Sequence, residues 1–165
     1  MGWLQRLRSG RRAALEPDFG GPEMAIGEAL YIDVHSHIVP GVDDGSSTLE
    51  ESLELIERLV NMGYRGAVVT PHIHSDIYPN NQLTLVTAFE QLQQAVAARW
   101  PDFALQLAAE YFLDEHCADC IAANDLLHFE AVDELGQPVK CVLFEFGFHE
   151  QPMNHDQVIF DLQMA

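Results

Sequence analysis

The chain has 165 residues, with 26 acidic against 8 basic side chains, a formal net charge of -18 and 48% apolar residues. That length and apolar content suit one globular domain and argue against global disorder. The acidic excess repels a phosphate backbone, so nonspecific nucleic-acid binding is disfavoured unless bound cations reverse the local sign.

The charge is unevenly placed. Residues 1–12 carry Arg6, Arg8, Arg11 and Arg12 and no acid, so Arg58, Arg65, Arg99 and Lys140 face every carboxylate of the remaining chain. Trp3, Leu4 and Leu7 share one helical side at the start, too short an apolar face to read as a membrane anchor. Residues 1–28 are expected to form a poorly ordered N-terminal extension, and 29–165 the folded portion. No apolar run reaches the roughly eighteen residues that span a bilayer, and Met1 to Arg8 lacks the apolar centre of a signal peptide. A cytoplasmic protein without an integral membrane segment is expected, and three cysteines, Cys117, Cys120 and Cys141, fit a reducing compartment. Cys117-Ala-Asp-Cys120 has zinc-type spacing but no matching second pair, so packed or solvated thiols are the better reading.

Ala29–Val34 is a short β-branched run that predicts a strand. Pro40–Gly45 supplies turn residues, and Ser47 with Glu50, or Thr48 with Glu51, signals a capped helix whose apolar side holds Leu49, Leu53, Ile56 and Val60. That helix should stop near Asn61-Met-Gly63. Gly66–Thr70 then reads as a buried strand running into Pro71-His72. A second helix with Leu85, Phe89, Leu92 and Val96 on one side ends before Trp100-Pro101, and strand-like Ala104–Ala109 delivers Glu110. Asp114–Ala123 predicts a short helix, Val139–Phe146 a fourth strand ending near Glu145, and a last helix starts around Asn154 with Val158, Ile159 and Leu162 buried. Strands alternating with helices predict α/β architecture with parallel strands, and polar residues at successive strand ends predict a site at the carboxyl face of a barrel or sheet.

Residues i and i+2 of an extended segment point the same way, so His35 and His37 can offer two imidazoles to one ion. They are joined by Asp43 and Asp44 in the next loop, His72 and His74 after the second strand, and Glu110 after the third. Isolated histidines are more often hydrogen-bonded or solvated than ligating, which is the expectation for His74, His116, His128, His149 and His155. Imidazole and carboxylate donors without thiolate suit manganese, iron or zinc. So many donors favour a carboxylate-bridged cluster over a single tetrahedral zinc. Such a cluster suits phosphoester hydrolysis, because it holds phosphate, activates a water and stabilises charge on the entering and leaving oxygens.

The runs Ile32–Gly45, Glu50–Leu53, Val69–His72, Ala109–Asp114 and Leu143–Phe146 resemble, in order, motifs of the polymerase-and-histidinol-phosphatase (PHP) superfamily. Within it they are similar to the bacterial manganese-dependent protein-tyrosine phosphatases of capsule and exopolysaccharide operons. The resemblance covers roughly residues 29–165 and implies a distorted TIM-like (β/α)7 barrel, of which about the first four βα units are present. It implies that His35 and His37 bind one metal, that Asp44 and His72 help bind another, and that Glu110 bridges the two. Asp44 and Glu110 would then stand at the reacting centre, with manganese the favoured ion. Asp33 is implied to steer an imidazole through its free nitrogen.

The implied reaction is attack of metal-activated hydroxide on a protein phosphotyrosine, a bacterial tyrosine kinase being the implied partner, without a cysteine nucleophile. The chain lacks the family's later His-Pro-Glu-Arg and Ser-Asp-x-His type motifs, so a fragment or truncated product is expected, with an open sheet edge and a tendency to self-associate. Two alternatives stay open: a histidinol-phosphate or nucleotide phosphoesterase of the same superfamily, and a non-catalytic remnant that binds metal or a partner.

Overall fold

The computed structural model describes residues 31–147 and 155–164. The N-terminal extension, the expected strand start at Ala29, His149, Asn154 and Ala165 lie outside the described residues. In chain order the elements are β1 (Ile32–Asp33), α1 (Leu49–Asn61), β2 (Gly66–Val69), β3 (His72–Ile73), α2 (Gln82–Arg99), β4 (Ala104–Leu107), β5 (Glu110–Phe112) and α3 (Glu115–Ala122). Then come β6 (Phe129–Val132), β7 (Pro138–Cys141), β8 (Leu143–Glu145) and α4 (His155–Met164).

The strands form two parallel ladders, β1-β2-β4 and β3-β5-β8. Val69 pairs with Leu107 at the end of the first ladder and His72 with Glu110 at the start of the second. The Ala108 N–H donates to the Val69 carbonyl at 2.9 Å and the Glu110 N–H to the Pro71 carbonyl at 3.0 Å, so pairing carries across the break. The effect is one parallel surface, with β1 beside β2–β3, that beside β4–β5, and β8 beyond. Mixed α/β structure with parallel strands is therefore observed as expected.

Both connecting helices follow from their sequences. Thr48 caps α1, its hydroxyl oxygen accepting from the Glu51 N–H at 3.2 Å. The Glu51 carboxylate reaches one residue further back, to the Ser47 N–H at 2.7 Å, so Thr48 rather than Ser47 sets the start. The helix closes at Met62, and Gly63 (φ +93°) takes the left-handed turn that a residue with a Cβ resists. Asn81 caps α2 with a reciprocal bond pair to Thr84.

The apolar sides of α1 and α2 meet β2 and β4. Ile56, Phe89, Leu92 and Val96 pack in one buried cluster with Ala67, Val69, Phe103 and Leu105. Each fully buried aliphatic side chain there contributes about 1.5–3 kcal/mol of transfer free energy. A second cluster joins Ile73, Leu85, Tyr111 and Leu113 to Cys117 and Ile121 of α3 and Val158 of α4.

One expected strand is not a single element. Val139–Phe146 divides at Val142. Residues through Cys141 belong to β7, which pairs antiparallel with β6, whereas Leu143–Glu145 are β8 and pair in parallel with β5. The hairpin turns at Asp133, whose Oδ1 accepts from the Leu135 and Gln137 N–H groups at 2.9 and 2.7 Å, with Gly136 at φ +76°. A continuous apolar run conceals the change of partner, because pairing direction is set by tertiary neighbours.

Candidate metal centre

His35 and His37 sit just beyond β1, His72 and Glu110 each open a strand, and Asp44 lies in the loop between β1 and α1. β1 ends at Asp33, the chain bends at His35, and the Thr70 N–H donates to the Ser36 carbonyl at 2.8 Å. His35 and His37 are brought to one side, with Nε2 atoms 3.4 Å apart. The loop after them folds back over His37. The Ser46 N–H donates to the His37 carbonyl at 3.1 Å, and a Cβ on Gly45 would lie 2.0 Å from that same oxygen. Only glycine permits this approach.

His72 opens β3 and Glu110 opens β5, directly paired in register. The buried Glu110 places Oε2 3.2 Å from His35 Nε2, 3.2 Å from His37 Nε2 and 3.4 Å from His72 Nδ1. His72 Nδ1 is also 3.0 Å from Glu145 Oε1, and His72 Nε2 is 3.6 Å from Asp44 Oδ1. The five residues His35, His37, Asp44, His72 and Glu110 are thus brought together from four separate stretches of chain. Glu145 joins them from the end of β8.

These donors fit a metal. Three groups have ligand atoms close enough to share an ion: His35, His37 and Glu110; His37, Asp44 and His72; and His72, Glu110 and Glu145. Ligands about 2.1 Å from one ion stand roughly 3.0–3.4 Å from each other at ordinary coordination angles, close to the spacings observed. His72 Nδ1 is buried and has no hydrogen-bond partner, although two carboxylates lie within 3.4 Å of it. A cation among these atoms satisfies all three at once, whereas a proton on Nδ1 points along neither contact. His72 enters two groups through opposite nitrogens, and a neutral ring offers one lone pair. The buried, unpartnered Nδ1 side is the better assignment, since Asp44 on the other side is 62% exposed and little constrained.

Asp43 is the least exposed carboxylate here, its side chain 0% accessible. It accepts from His37 Nδ1 at 2.8 Å and the His72 N–H at 2.9 Å through Oδ2, and from the Gly45 N–H at 3.0 Å through Oδ1. Burial alone would raise its pKa, but these three donors hold it below the ordinary value, and His37 is raised in turn, chiefly by its hydrogen bond to Asp43. Asp33, expected to steer an imidazole, instead accepts from the His35 backbone N–H at 3.4 Å. An aspartate two residues before a histidine finds that histidine's own backbone within reach, and this local bond competes with the ring.

The other described histidines stand elsewhere. His74 stacks on Phe112 at 4.1 Å and accepts from the Asp76 N–H, His116 contacts Cys120, and His128 contacts the Leu126 carbonyl. Tyr78 stacks on His72, centroids 5.3 Å apart and rings nearly parallel. Cys117 is buried in the second cluster, which pushes its thiol up to about 12, and burial also raises Cys120. Neither thiol is disposed to act as a nucleophile. No helix among the described residues is long and apolar enough to cross a membrane.

Sequence reading placed Glu145 at a strand end without making it a ligand. The signal was its position after an apolar run, the same signal that marked Glu110. Burial of Asp43 had no such signature, because it arises from a loop closing on β3.

Residues 31–164 match the family described as capsular polysaccharide synthesis, CpsB/CapC. The tyrosine-protein phosphatase YwqE of Bacillus subtilis is 27% identical over 139 residues, which is 81% of this chain and 50% of that protein. Tyrosine-protein phosphatase CpsB of Streptococcus agalactiae is 35% identical over 81 residues, 49% of this chain and 33% of that one. Among solved structures, the chain is similar to one from the crystal structures of YwqE from Bacillus subtilis and CpsB from Streptococcus pneumoniae, described as unique metal-dependent tyrosine phosphatases. That similarity has a TM-score of 0.67 at 26% identity and covers 81% of this chain and 51% of the other. The chain spans about half the length of the curated relatives it matches most extensively.

Proposed function

The chain belongs to the capsular polysaccharide synthesis CpsB/CapC family, and from that premise we propose that it carries the metal centre of a protein-tyrosine phosphatase that hydrolyses phosphotyrosine without a phospho-enzyme. The observation that carries the reading is Glu110 Oε2, within 3.4 Å of nitrogens of His35, His37 and His72. A carboxylate so enclosed by imidazoles is the donor set of a bridged divalent site.

In this reading His35, His37 and Glu110 would hold one ion, His72 through Nδ1 would hold a second with Glu110 and Glu145, and Asp44 would stand at the mouth on the other side of the His72 ring. Manganese is the proposed ion, since a thiolate-free set of imidazoles and carboxylates suits it. When bound, such a cluster supplies a water acidic enough to attack phosphorus near neutral pH and screens the phosphate charge. The chain's own part is to hold the donors and keep them dry on the inner side. Thr70, Pro71, Ala108 and Ala109 are fully buried beneath the strand ends, so the floor under the donors is closed to solvent. Asp44, at that mouth, is placed to accept a proton from the entering water or to complete the ligand set.

The parallel order β1, β2–β3, β4–β5, β8 is also the order of the first strands of a βα-barrel, and we take the fold as the leading part of the PHP-type barrel. The proposed substrate is a phosphotyrosine protein such as a bacterial tyrosine kinase. The proposed setting is the cytoplasm, where the free thiols of Cys117, Cys120 and Cys141 stay reduced.

The test is phosphate release from a phosphotyrosine peptide and from histidinol phosphate by chelator-stripped protein, with Mn2+, Fe2+ or Zn2+ restored, beside metal stoichiometry by elemental analysis. Metal uptake with turnover of the peptide supports the reading. Preference for the small ester moves the chain to another phosphoesterase class, and uptake without turnover leaves a metal-binding protein that is not an enzyme.

A further inference from the structure

Glu110 and the imidazoles are the donors, but the atom that decides which nitrogen His37 shows them belongs to Asp43. An ionised carboxylate only accepts hydrogen bonds, so the 2.8 Å contact to Asp43 Oδ2 requires the proton on His37 Nδ1. A neutral ring then carries its lone pair on Nε2, the atom 3.4 Å from His35 Nε2 and 3.2 Å from Glu110 Oε2. The same Oδ2 accepts from the His72 backbone N–H at 2.9 Å. One oxygen therefore fixes the ring of a residue after β1 and the main chain of the residue that opens β3.

The surroundings leave Asp43 little freedom to do anything else. Its side chain is 0% exposed, and its second oxygen accepts from the Gly45 N–H at 3.0 Å. Gly45 itself lies too close to the His37 carbonyl for any Cβ. The adjacent Asp44 differs in each respect, being 62% exposed and 3.6 Å from its nearest imidazole nitrogen. Two neighbouring aspartates thus have different work, one outward at the mouth and one beneath the donors.

We infer that Asp43 is a positioning residue of the metal centre, holding His37 with its Nε2 lone pair toward the ion and tying the His72 main chain to the same oxygen, so that the two halves of the donor set are placed together. The inference rests on the metal reading proposed above. A carboxylate behind a ligating imidazole raises the ring's basicity and fixes its plane, and losing such a partner commonly costs 10- to 100-fold in metal affinity.

Asparagine at position 43 presents one acceptor where the carboxylate presents two. It must give up either the Gly45 bond or the His37 and His72 bonds. A matched control exists at Asp114, which also receives three donors, the Ser75 N–H and hydroxyl and the Cys117 N–H, but touches no donor of the metal site.

The experiment uses the full chain with 15N-labelled histidine. In chelator, at a pH alkaline enough that His37 is a neutral ring, long-range proton–nitrogen spectra should show its proton on Nδ1 in the wild type and mixed tautomers in Asp43→Asn. Mn2+ titration should then show affinity lowered about 10- to 100-fold in Asp43→Asn and close to wild type in Asp114→Asn. The inference is overturned if metal-free wild type carries the His37 proton on Nε2, a readout that stands even where Asp43→Asn does not fold. It is equally overturned if Asp43→Asn binds Mn2+ as wild type does, or if Asp114→Asn loses as much. A wild type that takes up no Mn2+ overturns the metal reading itself, whereas loss confined to Asp43→Asn supports the role of Asp43.

Discussion

The pair β2 and β4 and the pair β6 and β7 consist of strands of equal length, four residues each, yet one pair is sealed and the other open to water. All of β2 is buried, and β4 has Leu105 buried and its other three residues half-buried, with α1 and α2 packed against them. In β6 exposed residues alternate with half-buried ones, and β7 is exposed except for Cys141. The difference is one of connection. Parallel partners need a long crossover, and here each crossover is a helix that caps the sheet, whereas a hairpin brings nothing to cover its faces. Chemistry follows the sealed pair, because its covered strands end in a rigid, dry floor on which charged donors can be held in place.

The largest effect is expected at the donor end of the parallel pair. Glu110→Gln removes the shared oxygen while keeping the side chain's shape, and is expected to lower metal affinity by more than about a hundredfold, beyond the usual loss for a residue behind a ligand. Isothermal titration with Mn2+ reads it, and binding within tenfold of wild type would remove Glu110 from the centre. The floor comes next. Leu92 is fully buried over the sheet, so Leu92→Ala should cost about 2–5 kcal/mol in urea unfolding. A loss under about 1 kcal/mol would show that α2 is not part of the cooperative core.

Gly45→Ala probes the seam between floor and site. Its Cβ would meet the His37 carbonyl, and the forced shift is expected to cost about 1–3 kcal/mol and to weaken Mn2+ binding together with stability. Acidity sharpens the same seam in metal-free protein. His37 is raised from 6.5, so its contribution is full below that value and fades as pH rises through the higher folded value. Asp43 is lowered from 3.8, so its contribution is full above 3.8 and fades as pH falls through the lower folded value. The pair should therefore stabilise most between these ordinary values. Urea midpoints of wild type and Asp43→Asn should differ most near pH 5 to 6 and converge toward alkaline pH, and a gap that widens there would contradict the assignment. The smallest effect belongs to the open pair: Leu135 at the hairpin tip is 84% exposed, and Leu135→Ser should move stability by less than about 0.5 kcal/mol.

What could be read in the residues divides along the same line. The helices over α1 and α2, with Ile56, Leu85, Phe89, Leu92 and Val96 inward, follow from periodicity and local caps, and the structure buries these side chains. His35, His37, His72 and Glu110 could be singled out because each follows an apolar run, and a strand that plunges into a core leaves its next polar residue at the rim. The β6–β7 hairpin was not read from the sequence. Phe129–Val132 is short and carries a charge at Glu130, and Val139–Phe146 reads as one strand until two different partners divide it. Asp33 and Asp43 look alike in sequence. Only the closure of the loop at Gly45 onto His37 buries one of them and leaves the other beside its own backbone.

The break between the two parallel ladders carries a consequence for how such a site can change. The buried pairs Gly66 to Val69 with Ala104 to Leu107 are separated from the donor-bearing pair His72 and Glu110 by two residues on each strand, Thr70-Pro71 and Ala108-Ala109. Those spacers act as a joint. Side chains alternate along a strand, so one residue added to or removed from a spacer turns everything beyond it to the opposite face while the pairing beneath keeps its register. A designer, or a lineage, can therefore re-aim the donors of this end without redrawing the core that supports them.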